Sequence, residues 1–135
     1  MRSMFVDTNI FLRYLTADDA EKYEKCRELF KRAVDGKIVL LTSEMVVAEL
    51  LWTLQSFYKV PKPEVIEKMA ILTSTPNLVI PNSDLIAEAL IVYSRNNIDY
   101  IDAYNAVFMR HHNTSDIYSY DADFDTISGI KRIEP

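Results

Sequence analysis

Four acidic residues stand where an ordinary fold has little use for them. Asp7 follows the apolar residues Met4, Phe5 and Val6. It precedes Ile10, Phe11, Leu12, Tyr14 and Leu15, which read as a largely buried helix. Glu49 lies in SEMVVAELLWTL, a helical stretch apolar nearly all round, where Met45, Val46, Trp52 and Thr53 share its face. Asp102 lies in NNIDYIDAYNAVFM, followed by Ala103, Ala106 and Val107, with Asn105 on its own face. Asp121 follows the run IYSY, with Asp123 and Asp125 alternating after it. A buried carboxylate without a partner costs several kcal/mol or takes up a proton. Two carboxylates ~4 Å apart repel by about 4 kcal/mol at an effective dielectric of ~20. A divalent cation reverses that balance, and an all-oxygen donor set selects Mg²⁺ or Mn²⁺.

Plainer explanations exist for each acid. Asp7 suits a helix cap. Glu49 could pair with a base from another element or reach solvent. Asp99, three residues before Asp102, is best read as an acid favoured by a helix N-terminus. Asp123 and Asp125 suit a solvated turn. A calcium loop beginning at Asp121 fails, because Thr126 stands where Gly is needed and Arg132 where Glu is needed. Zinc does not fit either: Cys26 is isolated, and His111 and His112 are adjacent.

The elements that must position these acids alternate along the chain. Short apolar runs at residues 4–6, 38–41, 78–80, 117–120 and 130–133 read as buried parallel strands. Helical patterns cover residues 17–34, 44–58, 63–74, 83–96 and 99–112, with Thr16 expected to cap the first of these and Gly36 to end it. Such alternation predicts an α/β fold, a central parallel sheet of four to five strands in a three-layer α/β/α arrangement. Sites in such folds form at the carboxyl ends of strands, where Asp7 and Asp121 fall.

The chain has 135 residues, which predicts one domain, residues 1–135. A single cysteine suits a reducing compartment. No run reaches the ~20 apolar residues of a membrane span, and a cytoplasmic protein is expected. The net charge of −5 speaks against a broad basic face for duplex nucleic acid. With only Gly36 and Gly129 as glycines, the Gly-rich turn of a dinucleotide site is missing. Asn9 weakens an aspartyl-phosphatase reading, since it stands where a D-x-D pattern has its second acid.

The set FVDTN, VVAELLW, YIDAYNAV and YSYDADFD, in this order and at this chain length, resembles the PIN-domain ribonucleases, more narrowly the VapC-type toxins of type II toxin–antitoxin pairs. The resemblance covers nearly the whole chain. It implies a Rossmann-like PIN fold and hydrolysis of phosphodiester bonds in single-stranded RNA with one or two Mg²⁺ or Mn²⁺ ions. By resemblance Asp7, Glu49, Asp102 and Asp121 match the metal-binding acids, and Asp123 a secondary one. Glu49 is open as a ligand through water or a general base. Thr8 and Asn9 match the polar pair supporting the first acid, and Ser119 a small hydroxyl position. Asn105 is placed to orient Asp102; Arg13 could meet a phosphate, or, on the plainer reading, is a surface residue. A homodimer and a small antitoxin partner are implied as well. The alternatives are a catalytically silent module that binds RNA or protein, and a solitary RNA-processing nuclease. Tyr100, Tyr104, Tyr118 and Tyr120 are expected to pack in the core rather than stack on bases.

Overall fold

The computed structural model describes residues 2–135. They form two compact units, one running to Asn82 and the other from Ser83 to Pro135. Among the described residues there are five strands, and every strand pairing is parallel.

In the first unit, β1 (Ser3–Phe5) leads to α1 (Thr8–Thr16) and α2 (Ala20–Val34), then β2 (Val39–Leu41), α3 (Glu44–Ser56), α4 (Lys62–Thr73) and β3 (Leu78–Val79). Each parallel crossover carries two helices. The sheet order is β1-β2-β3, with Met4 opposite Leu40 and Leu40 opposite Leu78. Thr42, 1% exposed, continues the ladder past the end of β2. Its N–H donates to the Val79 carbonyl at 3.0 Å, and its hydroxyl donates to the Val6 carbonyl at 2.8 Å. One buried residue thereby ties the ends of β1 and β3, and fixes the chain one residue before Asp7.

The helices follow their apolar faces. Phe11 of α1 and Phe30 of α2 are buried and stack with centroids 5.5 Å apart. Leu50 and Leu54 of α3, Val65 and Met69 of α4, and Leu40 of the sheet are fully buried in this unit. The boundaries correct two expectations. The helix expected from residue 17 starts at Ala20, and Asp19 rather than Thr16 caps it, accepting from the Lys22 N–H at 3.0 Å. Thr16 instead ends α1, where its hydroxyl turns back to the Leu12 carbonyl. Ala17, with φ of 51°, breaks the two helices apart. Gly36 closes α2 as expected, at φ of 76°.

The connection between α1 and α2 is held by one carboxylate. Asp18 accepts from Arg13 and from the Tyr58 hydroxyl, each at 2.9 Å. Those two bonds, Arg13 first, hold the Asp18 carboxyl below its ordinary pKa. Neither partner is evident from the sequence.

The second unit contains α5 (Ser83–Arg95), α6 (Tyr100–His111), β4 (Asp116–Tyr118), a 3₁₀ turn (Ala122–Thr126) and β5 (Lys131–Ile133). The helices α5 and α6 pack on each other. Buried Ile86, Ala89 and Tyr93 lie on α5, and Ala103, Ala106 and Val107 on α6. Ile117 pairs with Arg132, and the Ser119 N–H extends this ladder to the Ile133 carbonyl at 3.2 Å. Tyr100 is buried, but Tyr118 and Tyr120 are 75% and 73% exposed, contrary to the expected core packing. The strand is short and stops at Tyr118, so neither ring is enclosed.

Thr42→Val keeps the shape of the side chain and removes the bond to Val6. The variant is expected to lose about 1–3 kcal/mol of stability in urea unfolding, whereas Thr42→Ser, which keeps the hydroxyl, should lose less.

Candidate metal centre

Asp102, Asp121 and Asp123 each offer a carboxylate oxygen, and these oxygens lie within 4.8 Å of one another. Oxygen ligands at ~2.1 Å from one ion stand roughly 3–4 Å apart, so the cluster needs little adjustment to share a cation. All three belong to the second unit.

Local sequence builds each arm. Asp102 sits in the first turn of α6, one residue before buried Ala103, and is itself half-buried. Asp121 caps the 3₁₀ turn. Its carboxylate accepts from the Asp123 N–H at 2.9 Å, while its own N–H donates to the Ser119 hydroxyl at 3.0 Å. Ser119, Asp121 and Asp123 thus form a chain of turns two residues apart. Short polar side chains make such turns by bonding nearby backbone N–H groups.

Arg132 of β5 holds this turn from outside. It grips Asp125 through Nε and Nη2, each at 3.1 Å, and donates Nη1 to the Ser119 carbonyl at 3.2 Å and to Glu134 at 2.8 Å. A two-pronged arginine–carboxylate pair of this kind fixes geometry as well as charge. Asp125 is therefore a tether, not a member of the cluster. Arg132 went unnoticed in the sequence except as the residue that spoils a calcium loop. The only legible signal is a base in β5 facing an acidic turn of opposite sign.

The carboxylates act on one another. Burial, then the charges of Asp121 and Asp99, push the Asp102 pKa up to about 6, and a hydrogen bond with Asp121 and the charge of Asp123 add to this. Asp99 stands at the N-cap of α6, as its helix-terminus reading expects, with no side-chain capping bond. Asn105 is exposed on the same helix.

Asp7 and Glu49 are carried by the first unit. Asp7 is itself the N-cap of α1, its carboxylate accepting from the Thr8 N–H at 2.8 Å. That is the plainer role the sequence allows for Asp7; Thr8 beside it is buried and Asn9 exposed. Glu49 is exposed, and so are Met45 and Trp52 at 80% and 64%. The expected buried carboxylate on an all-apolar helix is thereby corrected: α3 buries Val46, Val47, Leu50, Leu51 and Leu54 and leaves the Glu49 stripe outside. Arg13, expected to meet a phosphate, gives one N–H to Asp18. His111, in the last turn of α6, meets Glu88 at 3.0 Å.

The raised pKa has a signed consequence for the metal-free protein. Folded Asp102 holds its proton up to about 6, against 3.8 for the free side chain. Between these values the folded state binds more protons than the unfolded one, so this group's contribution to stability falls as pH rises through the window. Asp102→Asn is expected to melt roughly 2–4 °C above wild type at pH 7.5 in EDTA, with the difference vanishing below about pH 4.

Residues 4–130 match the PIN domain family. The chain is 22% identical over 130 residues to a VapC ribonuclease of Aquifex aeolicus (strain VF5), covering 96% of this chain and 95% of that protein. Among solved structures it is similar to VapC20 of Mycobacterium tuberculosis, a sarcin-ricin loop cleaving toxin, at 21% identity and a TM-score of 0.42, over 99% of this chain and 100% of that one. It is similar also to VapBC2 of Rickettsia felis bound to a DNA fragment from their promoter, at 17% identity and a TM-score of 0.39, over 99% and 98% of the two chains. The matched span takes in most of each unit and Asp7, Glu49, Asp102, Asp121 and Asp123, and on that match the chain belongs to the PIN domain family.

Proposed function

We propose that this protein is a metal-dependent endoribonuclease that hydrolyses single-stranded RNA, and that it is the toxin of a toxin–antitoxin pair. The observation that carries the reading is the Asp102–Asp121–Asp123 cluster, in a chain of PIN membership. The similarity to a VapC ribonuclease supports the RNA substrate.

The donor set is all oxygen, which selects Mg²⁺ or Mn²⁺. When bound, such an ion supplies Lewis acidity at the scissile phosphate and offsets charge on the leaving oxygen. Asp121, fixed on both sides by Ser119 and Asp123, is the preorganised ligand. Asp102 must shed its proton to ligate, so affinity for the ion rises as pH passes through about 6. Asp123 adds a third carboxylate. Asp7 and Glu49 are assigned to the same chemistry from their match to the family's motifs, Asp7 as a ligand and Glu49 as a ligand through water or a general base. Thr8, Asn9, Asn105 and Ser119 are positioning residues. In this proposal residues 1–135 act as one PIN domain, cytoplasmic and dimeric, held inactive by a small antitoxin. No helix among the described residues is long and apolar enough to cross a membrane.

The purified chain is expected to cut single-stranded RNA with Mn²⁺ or Mg²⁺, to stop in EDTA and to resume on adding metal. Asp121→Asn should lower the rate by about 10²-fold or more, in line with loss of a group that stabilises charge in the transition state. Millimolar Mg²⁺ should raise the wild-type melting temperature and leave that of Asp121→Asn nearly unchanged. Cleavage that persists in EDTA, or at full rate in Asp121→Asn, refutes the reading.

A further inference from the structure

The helical pair α1–α2 carries a groove of about 460 Å³, lined by Asn9, Ile10 and Arg13 from one helix and Lys22, Lys25 and Cys26 from the other. Grooves of roughly 300–1,000 Å³ are the size that seats a small ligand or one segment of a polymer. The helical repeat explains the lining. Asn9 and Arg13 are one turn apart on α1, and Lys22 and Cys26 one turn apart on α2, with Lys25 beside them. Buried Cys26 and half-buried Ile10 give an apolar floor. The polar wall is three cations and an amide, with no carboxylate.

This sign is against the trend of a chain with net charge −5. Nor do local partners cancel it. Lys25 and Glu21 approach to 3.4 Å but are 76% and 81% exposed, and an ion pair that wet is worth little. Arg13 spends Nη1 on Asp18, one of five N–H donors on a guanidinium. Asp18 in turn is shared with the Tyr58 hydroxyl. The Arg13 charge is felt inside the groove, where it opposes the burial that pushes the Cys26 thiol up.

We propose that this groove seats the sugar–phosphate backbone of single-stranded RNA, with Arg13, Lys22 and Lys25 on its phosphates and Asn9 at the end of the groove two residues past Asp7. The assignment rests on the ribonuclease reading for the identity of the polymer. A narrow file of cations over an apolar floor suits a flexible strand followed along its backbone. A rigid duplex needs the broad basic face that this chain lacks.

The test measures binding apart from cleavage. The full chain, in EDTA, is titrated against a short fluorescent single-stranded RNA over a range of salt concentrations. Lys22→Gln with Lys25→Gln should weaken binding about tenfold and reduce the salt dependence by about 1.4 in log–log slope, from two lost phosphate contacts at ~0.7 each. Both lysines are exposed, so the melting temperature should not move. Lys31→Gln with Lys37→Gln removes equal charge elsewhere on the same unit and should leave affinity within about twofold of wild type. Equal losses in the two pairs, no loss in the first, or no RNA binding by wild type overturns the groove. Tighter binding of a polyglutamate peptide than of RNA through Lys22 and Lys25 also overturns it, and gives the groove to an acidic protein segment. Metal-dependent cleavage with unchanged affinity and KM in the Lys22/Lys25 variant removes the groove and leaves the nuclease. Lysine-dependent binding without metal-dependent cleavage does the reverse.

Discussion

Like charges repel, and three carboxylates held within 4.8 Å of one another are the constraint to which the second unit answers. The charges that act most on Asp102, those of Asp121, Asp99 and Asp123, are all negative. The relief comes from backbone instead: the N–H of Asp123 points at Asp121, and the first turn of α6 lies under Asp102. What repulsion remains is visible in Asp102, which keeps its proton to about 6. Below about pH 6 the proton on Asp102 eases the repulsion; above it Asp102 is ionised, and a cation would offset the charge instead.

The two units solve different problems. The first builds a three-stranded parallel sheet with two helices in each crossover, and uses one buried hydroxyl, Thr42, to bring the end of β1 to a fixed place. The second is smaller, and its sheet has only β4 and β5. There the packing of α5 on α6 supplies the rigidity, and polar bonds along the 119–125 segment supply the shape. Buried apolar area is non-directional, so hydrogen bonds that cannot slide are what place a carboxylate to within a fraction of an ångström.

Sequence made the periodic parts legible. All five strands appear where short apolar runs sit, within two residues at each end, because such runs bounded by polar residues are a strong local signature; the expected burial is corrected, since β1 is exposed throughout and β4 and β5 hold no fully buried residue. The helices were legible for the same reason, except where two candidate caps compete: Thr16 and Asp19 both suit an N-cap, and only the left-handed turn at Ala17 decides between them. Three of the acids named from sequence, Asp102, Asp121 and Asp123, do converge. Glu49 misled because composition cannot tell an all-apolar helix from one with an exposed apolar stripe; Met45 and Trp52 are on the outside. Thr42, Asp18 and Arg132 were illegible because each acts through partners that no helical or strand period pairs with it, the Thr42 hydroxyl reaching back to Val6, Asp18 to Tyr58 and Arg132 to Asp125 and Ser119.

The reach of Arg132 gives the carboxy-terminal strand a mechanical share in the chemistry. It bonds to Asp125 and Ser119 on either side of the acidic turn and to Glu134 beyond it, so the last five residues act as a brace. A chain trimmed before Lys131 would keep every acid of the cluster and lose the strut that stops the turn from relaxing. Loss of function on such trimming would then reflect slack in the scaffold rather than a missing ligand, and a map of the site drawn from its acids alone would miss the cause.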